Sequence, residues 1–353
     1  MSRANQQGAI TYGLFMWHST CQWGPSFQAL VAGVFLIIPT SIWSQDAQKP
    51  AADSKAAAPK ADVEKPDTYT SRLIHTNVDG SDPKQFTVFP EYTSQGSPEF
   101  SPDGKLVCFD VWKTGQTHTN GQIALVNADG TKPRILGDGL MPSFSPGGKR
   151  ITFSRPGKGV WIMSAEGPDV ELVQLDPSGW GTSWSSDGRI AYTASTGRGD
   201  NLIIVNIVEG TRTSIFDEEK SPYSQIYWNM AWSPDSKRIV FKGTTPEGKN
   251  ELAIVDARGE KHGFVRRPFP DVHESFAWSP DGSQILVAKP CPERGNQSQL
   301  YSLNPDKDEP LQLLPKQDPQ RPAVTASFSP DGKKLVSSCL MPVVPKVPAA
   351  QSK

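Results

Sequence analysis

Phe100-Ser101-Pro102-Asp103-Gly104-Lys105 decides the fold, because the chain repeats it. Close copies begin at Phe144, Trp184, Trp232, Trp278 and Phe328, placing their serines at 101, 145, 185, 233, 279 and 329. The intervals by subtraction, 44, 40, 48, 46 and 50 residues, fall in the period range of propeller blades. Each copy lies between two β-rich apolar stretches, as in Ala277-Trp-Ser-Pro-Asp-Gly-Ser-Gln-Ile-Leu-Val287, so it reads as a hairpin turn. Proline presets the first central dihedral, Asp bonds back onto nearby amides, and Gly takes the left-handed position. Three copies depart from the pattern: Gly147 replaces Asp, Ser186 replaces Pro, and Ser236 replaces Gly. Ser236 must carry some strain at a left-handed position.

A second hairpin follows each of the first five copies, for example Ile123-Ala-Leu-Val-Asn-Ala-Asp-Gly130, which completes four strands per repeat. Its sixth occurrence, Leu73-Ile-His-Thr-Asn-Val-Asp-Gly80, precedes the first phrase, while nothing follows the phrase at Phe328. The expected fold is therefore an all-β, six-bladed β-propeller of four-stranded blades, spanning 69–340. N-terminal strands pair with the C-terminal ones to close the ring and hide its edges.

The flanks read differently. Residues 1–44 form a signal peptide or an N-terminal membrane anchor: Arg3 supplies an early cation, Phe27 to Ile38 are apolar, and Ser44 precedes Gln45. Met16 is a second candidate start. Residues 45–68 form an Ala/Lys/Pro linker, and 341–353, with prolines at 342, 345 and 348, a Pro-rich disordered tail. A periplasmic or secreted location follows, with membrane contact only through an uncleaved N-terminal segment. The 36 basic and 37 acidic residues, net charge -1, give no footprint for nucleic acid.

The phrase, followed by a β-branched strand and an Asn-Ala-Asp-Gly-type turn, resembles the TolB-type, WD40-like β-propeller repeat of exported bacterial proteins, over Ser71 to about Leu340. TolB carries an α/β domain before its propeller; here a linker stands in that place. The resemblance implies a six-bladed binding platform.

No Gly-x-Ser-x-Gly elbow occurs, so no serine hydrolase is expected and no catalytic residue is assigned. Five histidines are too scattered for a His-rich metal site; no cofactor is expected, with a carboxylate calcium site as an option. Binding is expected where each blade's outer strand leads into the next blade's inner strand. Two such loops, 217–230 and 266–276, supply the candidate rim residues Tyr223, Tyr227, Trp228, Asn229, His273 and Glu274, with Arg266 and Arg267 beside them, and Trp180 joins from a third. Cys291 and Cys339, both after second strands of adjacent blades, form a candidate disulfide, whereas Cys108 reads as a buried apolar residue. The composite expectation is an exported, non-catalytic module that binds a protein or peptide partner in the cell envelope. The alternatives are a propeller enzyme or carbohydrate-binding protein working at the channel mouth, and a structural or sensory envelope component.

Overall fold

The computed structural model describes residues 69–342, apart from 88 and 117. The expectations for 1–44, 45–68 and 343–353 lie outside the described residues. Six antiparallel sheets succeed one another along the chain. Blade 1 comprises β3 (Ser94–Phe100), β4 (Leu106–Trp112), β5 (Gln122–Asn127) and β6 (Arg134–Asp138); blade 2 comprises β7 (Leu140–Phe144), β8 (Arg150–Arg155), β9 (Gly159–Ser164) and β10 (Gly167–Asp176). Blade 3 holds β11 (Gly179–Trp184), β12 (Arg189–Ser195), β13 (Asp200–Asn206) and β14 (Thr211–Ser214). In blade 4 the inner strand is split into β15 (Gln225–Ile226) and β16 (Ala231–Trp232), both paired with β17 (Arg238–Thr244), followed by β18 (Asn250–Asp256) and β19 (Phe264–Arg267). Blade 5 is β20 (Phe276–Trp278), β21 (Ile285–Cys291), β22 (Gln297–Leu303) and β23 (Gln312–Leu313).

Blade 6 joins the two ends of the described chain, in the order β2 (Lys84–Gln85), β1 (Tyr69–Asn77), β25 (Lys334–Pro342), β24 (Ala323–Phe328). The β1–β25 register runs unbroken from Tyr69 opposite Pro342 to Asn77 opposite Lys334. Met341 and Pro342 therefore belong to the closing strand rather than to the tail: their partners Thr70 and Tyr69 extend the ladder past the expected limit at 340. Successive blades pack through alternate residues. In β21, Ile285 and Val287 face blade 4, while Leu286 and Ala288 face blade 6.

All six phrases sit between the first and second strands of their blades. Serine does more in them than composition suggested: Ser101 Oγ donates to Asp103 Oδ1 at 2.7 Å and accepts the Leu106 N–H at 2.9 Å, tying the turn to the strand that leaves it. The turns also meet across blades. A Cβ built on Gly148 would lie 3.7 Å from Pro102, one on Gly282 3.4 Å from Pro234, and one on Gly104 3.5 Å from Pro330. At the junction of blades 3 and 4, Ser186 stands in the proline place and Ser236 in the glycine place, and their hydroxyls are 2.7 Å apart. Ser236 does adopt φ 57, and its Oγ and carbonyl also accept from Asp187 N and Arg189 Nη2. Two departures from the phrase thus replace one proline-on-glycine contact with a hydrogen bond.

The three described cysteines are free and buried, so the expected Cys291–Cys339 bridge is absent. Cys291 lies on the face of blade 5 turned toward blade 4, and Cys339 lies between blades 5 and 6, which leaves the blade 5 sheet between the two thiols. Burial pushes the Cys339 thiol up to about 12.

Candidate functional site

Strand alternation and inner-strand bulges build the channel wall. The inner strands of blades 1, 2 and 3 shift register at Gly96/Glu99, Leu140/Ser143 and Trp180/Thr182, and Asn229 interrupts the inner strand of blade 4 between β15 and β16. Ser97, Met141, Gly181 and Asn229 take left-handed φ values of 43, 53, 59 and 60 at these breaks. The bulges turn backbone N–H groups toward the preceding blade. Met141 N donates to Asp110 Oδ2 at 2.9 Å, and Gly181 N to Ser154 Oγ at 3.0 Å. Deeper in the channel, Phe144 N donates to Glu99 Oε1 at 2.7 Å and Trp184 N to Ser143 Oγ at 2.9 Å.

At the mouth opposite the Ser-Pro-Asp-Gly turns lies a cavity of about 380 Å³, within the range of small-ligand sites. Five of the sequence candidates line it: Trp180, Trp228, Asn229, His273 and Glu274. Gly181 brings two of them together, since a Cβ there would stand 2.6 Å from the Cβ of Trp228. Trp228 remains exposed and lies 5.8 Å from the Tyr227 ring. Tyr227 itself does not line the cavity; it sits half-buried above Lys242, whose Nζ is 4.7 Å from its ring centroid. Lys242 also donates to the Val272 carbonyl at 2.8 Å and pairs with Glu274 at 3.4 Å, so Glu274 is held by a buried cation. Burial keeps the half-buried His273 ring below the ordinary histidine pKa and therefore uncharged at neutral pH.

Tyr223 does not belong to this rim. It is fully buried between blades 3 and 4, edge-on to Phe241 and Phe216, and its hydroxyl donates to Glu251 Oε1 at 2.7 Å. Gly243 leaves room for its ring, a Cβ there coming within 2.3 Å. Arg266 and Arg267 are likewise displaced: they lie in the outer strand β19, where Arg266 pairs with Glu251 and Arg267 donates to the Pro305 carbonyl.

Sequence reasoning missed the far wall, made by Gln95, Asp110, Trp112 and Thr325. A signal was present. Asp110, Ser154, Thr193, Lys242 and Ser338 occupy one position of the second strand in five blades, a polar residue near the end of an apolar run. All five are buried, and each bonds toward an inner strand or the loop entering one, as Thr193 Oγ1 does to Trp180 O and Ser338 Oγ to Gln95 O.

The wall carries unmet hydrogen-bonding capacity. Among the described residues five buried side-chain atoms lack a partner, and four of them, Gln95 Nε2, Asp110 Oδ1, Trp112 Nε1 and Thr325 Oγ1, belong to residues lining this cavity. Buried polar atoms without partners are costly, so such a concentration marks a place completed from outside the chain. Burial raises the Asp110 carboxyl to about 6, opposed by the Met141 N–H and the Ser97 hydroxyl, and raises Glu99 to about 7, opposed by the Phe144 N–H and the Ser143 hydroxyl. Among the described residues no group of three or more His, Cys, Asp or Glu is arranged to hold a metal. No helix among them is long and apolar enough to cross a membrane.

Glu99 supplies a test of the channel electrostatics. A carboxyl whose folded pKa exceeds its unfolded value binds protons more readily when folded, so its penalty grows as pH rises through about 4.5 to 7. His75 and His273, both lowered by burial, act in the opposite sense nearby, so only the difference against Glu99→Gln isolates the carboxyl. Glu99→Gln keeps an acceptor for Phe144 and is expected to exceed the wild type by about 1–2 kcal/mol at about pH 8, with the advantage vanishing at about pH 4, below the unfolded value. Denaturant unfolding at the two pH values checks this; an advantage independent of pH would remove Glu99 as the titrating group.

These features define the class: a six-bladed, four-stranded propeller, closed by β1 and β25, with a polar, tryptophan-walled cavity at one channel mouth. No protein-family model matches the chain, and no curated protein matches it in sequence. Among solved structures it is similar to TolB from Acinetobacter baumannii, at 17% identity and TM-score 0.51, over 76% of this chain and 63% of that one. It is also similar to a protein from Agrobacterium tumefaciens provisionally assigned as TolB, at 17% identity and TM-score 0.58, over 78% of this chain and 99% of that one. The tricorn protease aligns at 17% identity and TM-score 0.50, over 72% of this chain but 27% of its own. The chain thus spans less than two thirds of the A. baumannii protein. The TolB-type resemblance of the repeats holds for the fold.

Proposed function

We propose that the chain is an exported, non-catalytic recognition module that holds a protein or peptide partner in the cell envelope at the tryptophan-lined channel mouth. The observation that carries this reading is the gathering of four unpartnered buried polar atoms on a cavity that Trp112, Trp180 and Trp228 wall. Large aromatic anchors beside unmet hydrogen bonds are the chemistry of a binding hot spot. The two carboxylates with raised pKa favour recognition over catalysis, because each already gives one oxygen to a backbone N–H of the next blade. Export is inferred from the sequence of residues 1–44 and the TolB-like fold.

A photo-crosslinking amino acid at Tyr227, in the protein expressed in its native host, tests both parts. The expected result is a defined crosslinked partner in the envelope fraction, reduced at least about tenfold by Trp180→Ala with Trp228→Ala, and a processed N-terminus at Gln45 or a retained anchor by mass spectrometry. A crosslinked product indifferent to both substitutions would dismiss the rim as the binding surface.

A further inference from the structure

Three departures from the repeat meet on the face that carries the Ser-Pro-Asp-Gly turns. Arg189 and Arg238 open the second strands of blades 3 and 4, and each lays its guanidinium 5.0 Å from the tryptophan ring of the following blade, Trp232 and Trp278. Arg150 opens the second strand of blade 2, but instead of covering Trp184 of blade 3 it donates from Nε to Glu171 Oε2 at 2.7 Å. Glu171 is within its reach because β10 bulges: the pairing with β9 breaks between Gly167 and Leu172, and the looped-out residues leave Val170 64% exposed. The third departure is a turn. The second hairpins of blades 1, 2, 4 and 6 turn at Asn127-Ala-Asp-Gly, Ser164-Ala-Glu-Gly, Asp256-Ala-Arg-Gly and Asn77-Val-Asp-Gly. That of blade 3, Asn206-Ile-Val-Glu-Gly, is longer and holds Val208 at its tip, 75% exposed. Asn206 Oδ1 accepts the Val208 and Glu209 N–H groups at 3.1 and 3.2 Å, which fixes the tip.

Together these departures leave an open hollow of about 810 Å³ whose walls include Trp184, Ile207, Val170 and Val208. A lone exposed valine is ordinary, but two beside an uncovered tryptophan form the kind of apolar patch that marks an interface. Its charges lie at opposite ends. The lining follows the ring, from Arg134 in blade 1 through Lys149 and Glu166 in blade 2 to Val208 in blade 3, with Glu209 next to it in the chain. Among the described residues the ion pair in this lining is Arg150–Glu171, in the middle blade, and Arg134, Lys149, Glu166 and Glu209 make none. Two cations and one carboxylate thus stand at one end, and one carboxylate at the other. A two-fold axis through the middle of the hollow lays the blade 3 end of one copy on the blade 1–2 end of a second, so that each apolar tip enters a hollow and each end meets the opposite charge. A patch that holds both halves of a match fits a copy of itself, as an isologous interface requires.

We propose that this hollow is a homodimer interface, in which Val208 of each copy enters the blade 1–2 half of the other copy's hollow, beside Leu106 and Pro146, and Glu209 pairs with Lys149 of the other copy. The mouth cavity lies on the opposite face, so both mouths stay open and the dimer displays two of them. The interface does not rest on the recognition reading.

Sedimentation velocity of the chain purified from its native host, over about 1–200 µM, is expected to show a reversible dimer with a Kd of about 10 µM. Val208→Asp is expected to weaken it at least about tenfold. Lys149→Glu and Glu209→Lys, each counted twice by the symmetry, are expected to weaken it about fivefold apiece, and the two together to restore it to within about twofold of the parent. All three positions are exposed, so each variant is expected to keep the parent's melting temperature at low concentration. If Val208→Asp lowers that temperature, the charge reversals alone decide. A monomer across the whole range, a dimer indifferent to the deciding variants, or a double reversal no tighter than the singles overturns the interface. Crosslinking at Tyr227 reads the mouth independently, so the two readings fail separately.

Discussion

Removal of residues 69–85, the β1 and β2 strands, is expected to abolish cooperative folding. These strands are the outer half of blade 6, and β1 covers the whole length of β25. Without them β25 becomes an open edge and Leu73 and Ile74, 0% and 4% exposed, leave the contacts between blades. Truncating one such residue costs about 2–5 kcal/mol, and a domain's whole stability is about 5–15 kcal/mol. The loss of both, with the ladder, exceeds what the remaining blades can supply, and the exposed edge invites aggregation. A circular permutant separates closure from sequence order. Tyr69 lies opposite Pro342, so a short link between 342 and 69, with new ends in the exposed turn at Val208, keeps every strand. The permutant is expected to melt as one cooperative unit, and the truncation to elute as aggregate with no thermal transition. A truncated protein with the parent's melting temperature would show that the ring does not depend on this closure.

Trp278→Ala is expected to destabilise by about 3–5 kcal/mol, through the cavity it leaves in the packing of blade 5 against blade 4. The ring is 7% exposed, its Nε1 donates to the Ala231 carbonyl of blade 4 at 3.2 Å, and the Arg238 guanidinium lies 5.0 Å above it. Trp232 repeats the arrangement one blade earlier, with Nε1 on the Ser183 carbonyl and Arg189 above. Trp184, the same phrase position, is expected to lose less: it is half-buried, and its Nε1 bonds the Gly188 carbonyl of its own turn instead of another blade. Denaturant unfolding of the three alanine variants checks the order. Equal losses at 184 and 278 would reject the bond between blades as the source of the difference, and Trp278→Phe, losing that bond and part of the buried indole, should cost about 2 kcal/mol, less than alanine.

Legibility followed physical range. The phrase, its partner hairpin and their offset were readable because turns and strands are encoded by neighbours a few residues apart. The rim was half readable: Trp180, Trp228, Asn229, His273 and Glu274 meet at one cavity, yet Tyr223 from the same loop packs inward. Its direction depends on Gly243 and Glu251, residues on other strands. The far wall escaped notice because Gln95 and Asp110 read as ordinary strand residues; only the orientation that Leu73 N and Met141 N impose leaves their second atoms unmet.

By itself, the sequence determined an all-β ring of six blades, the placement of its turns, and a closure made by the two ends of the propeller, since each follows from local repetition. The tertiary structure decided how the departures relate. Ser186 and Ser236, fifty residues apart, are two separate losses on paper and one hydrogen bond in the ring, because their places are those at which, in four other pairs of neighbouring turns, the proline of one leans on the glycine of the next. It also decided that Cys291 and Cys339 stay apart and that four polar atoms remain unsatisfied around one cavity, since burial and direction are set by which blades come to face each other.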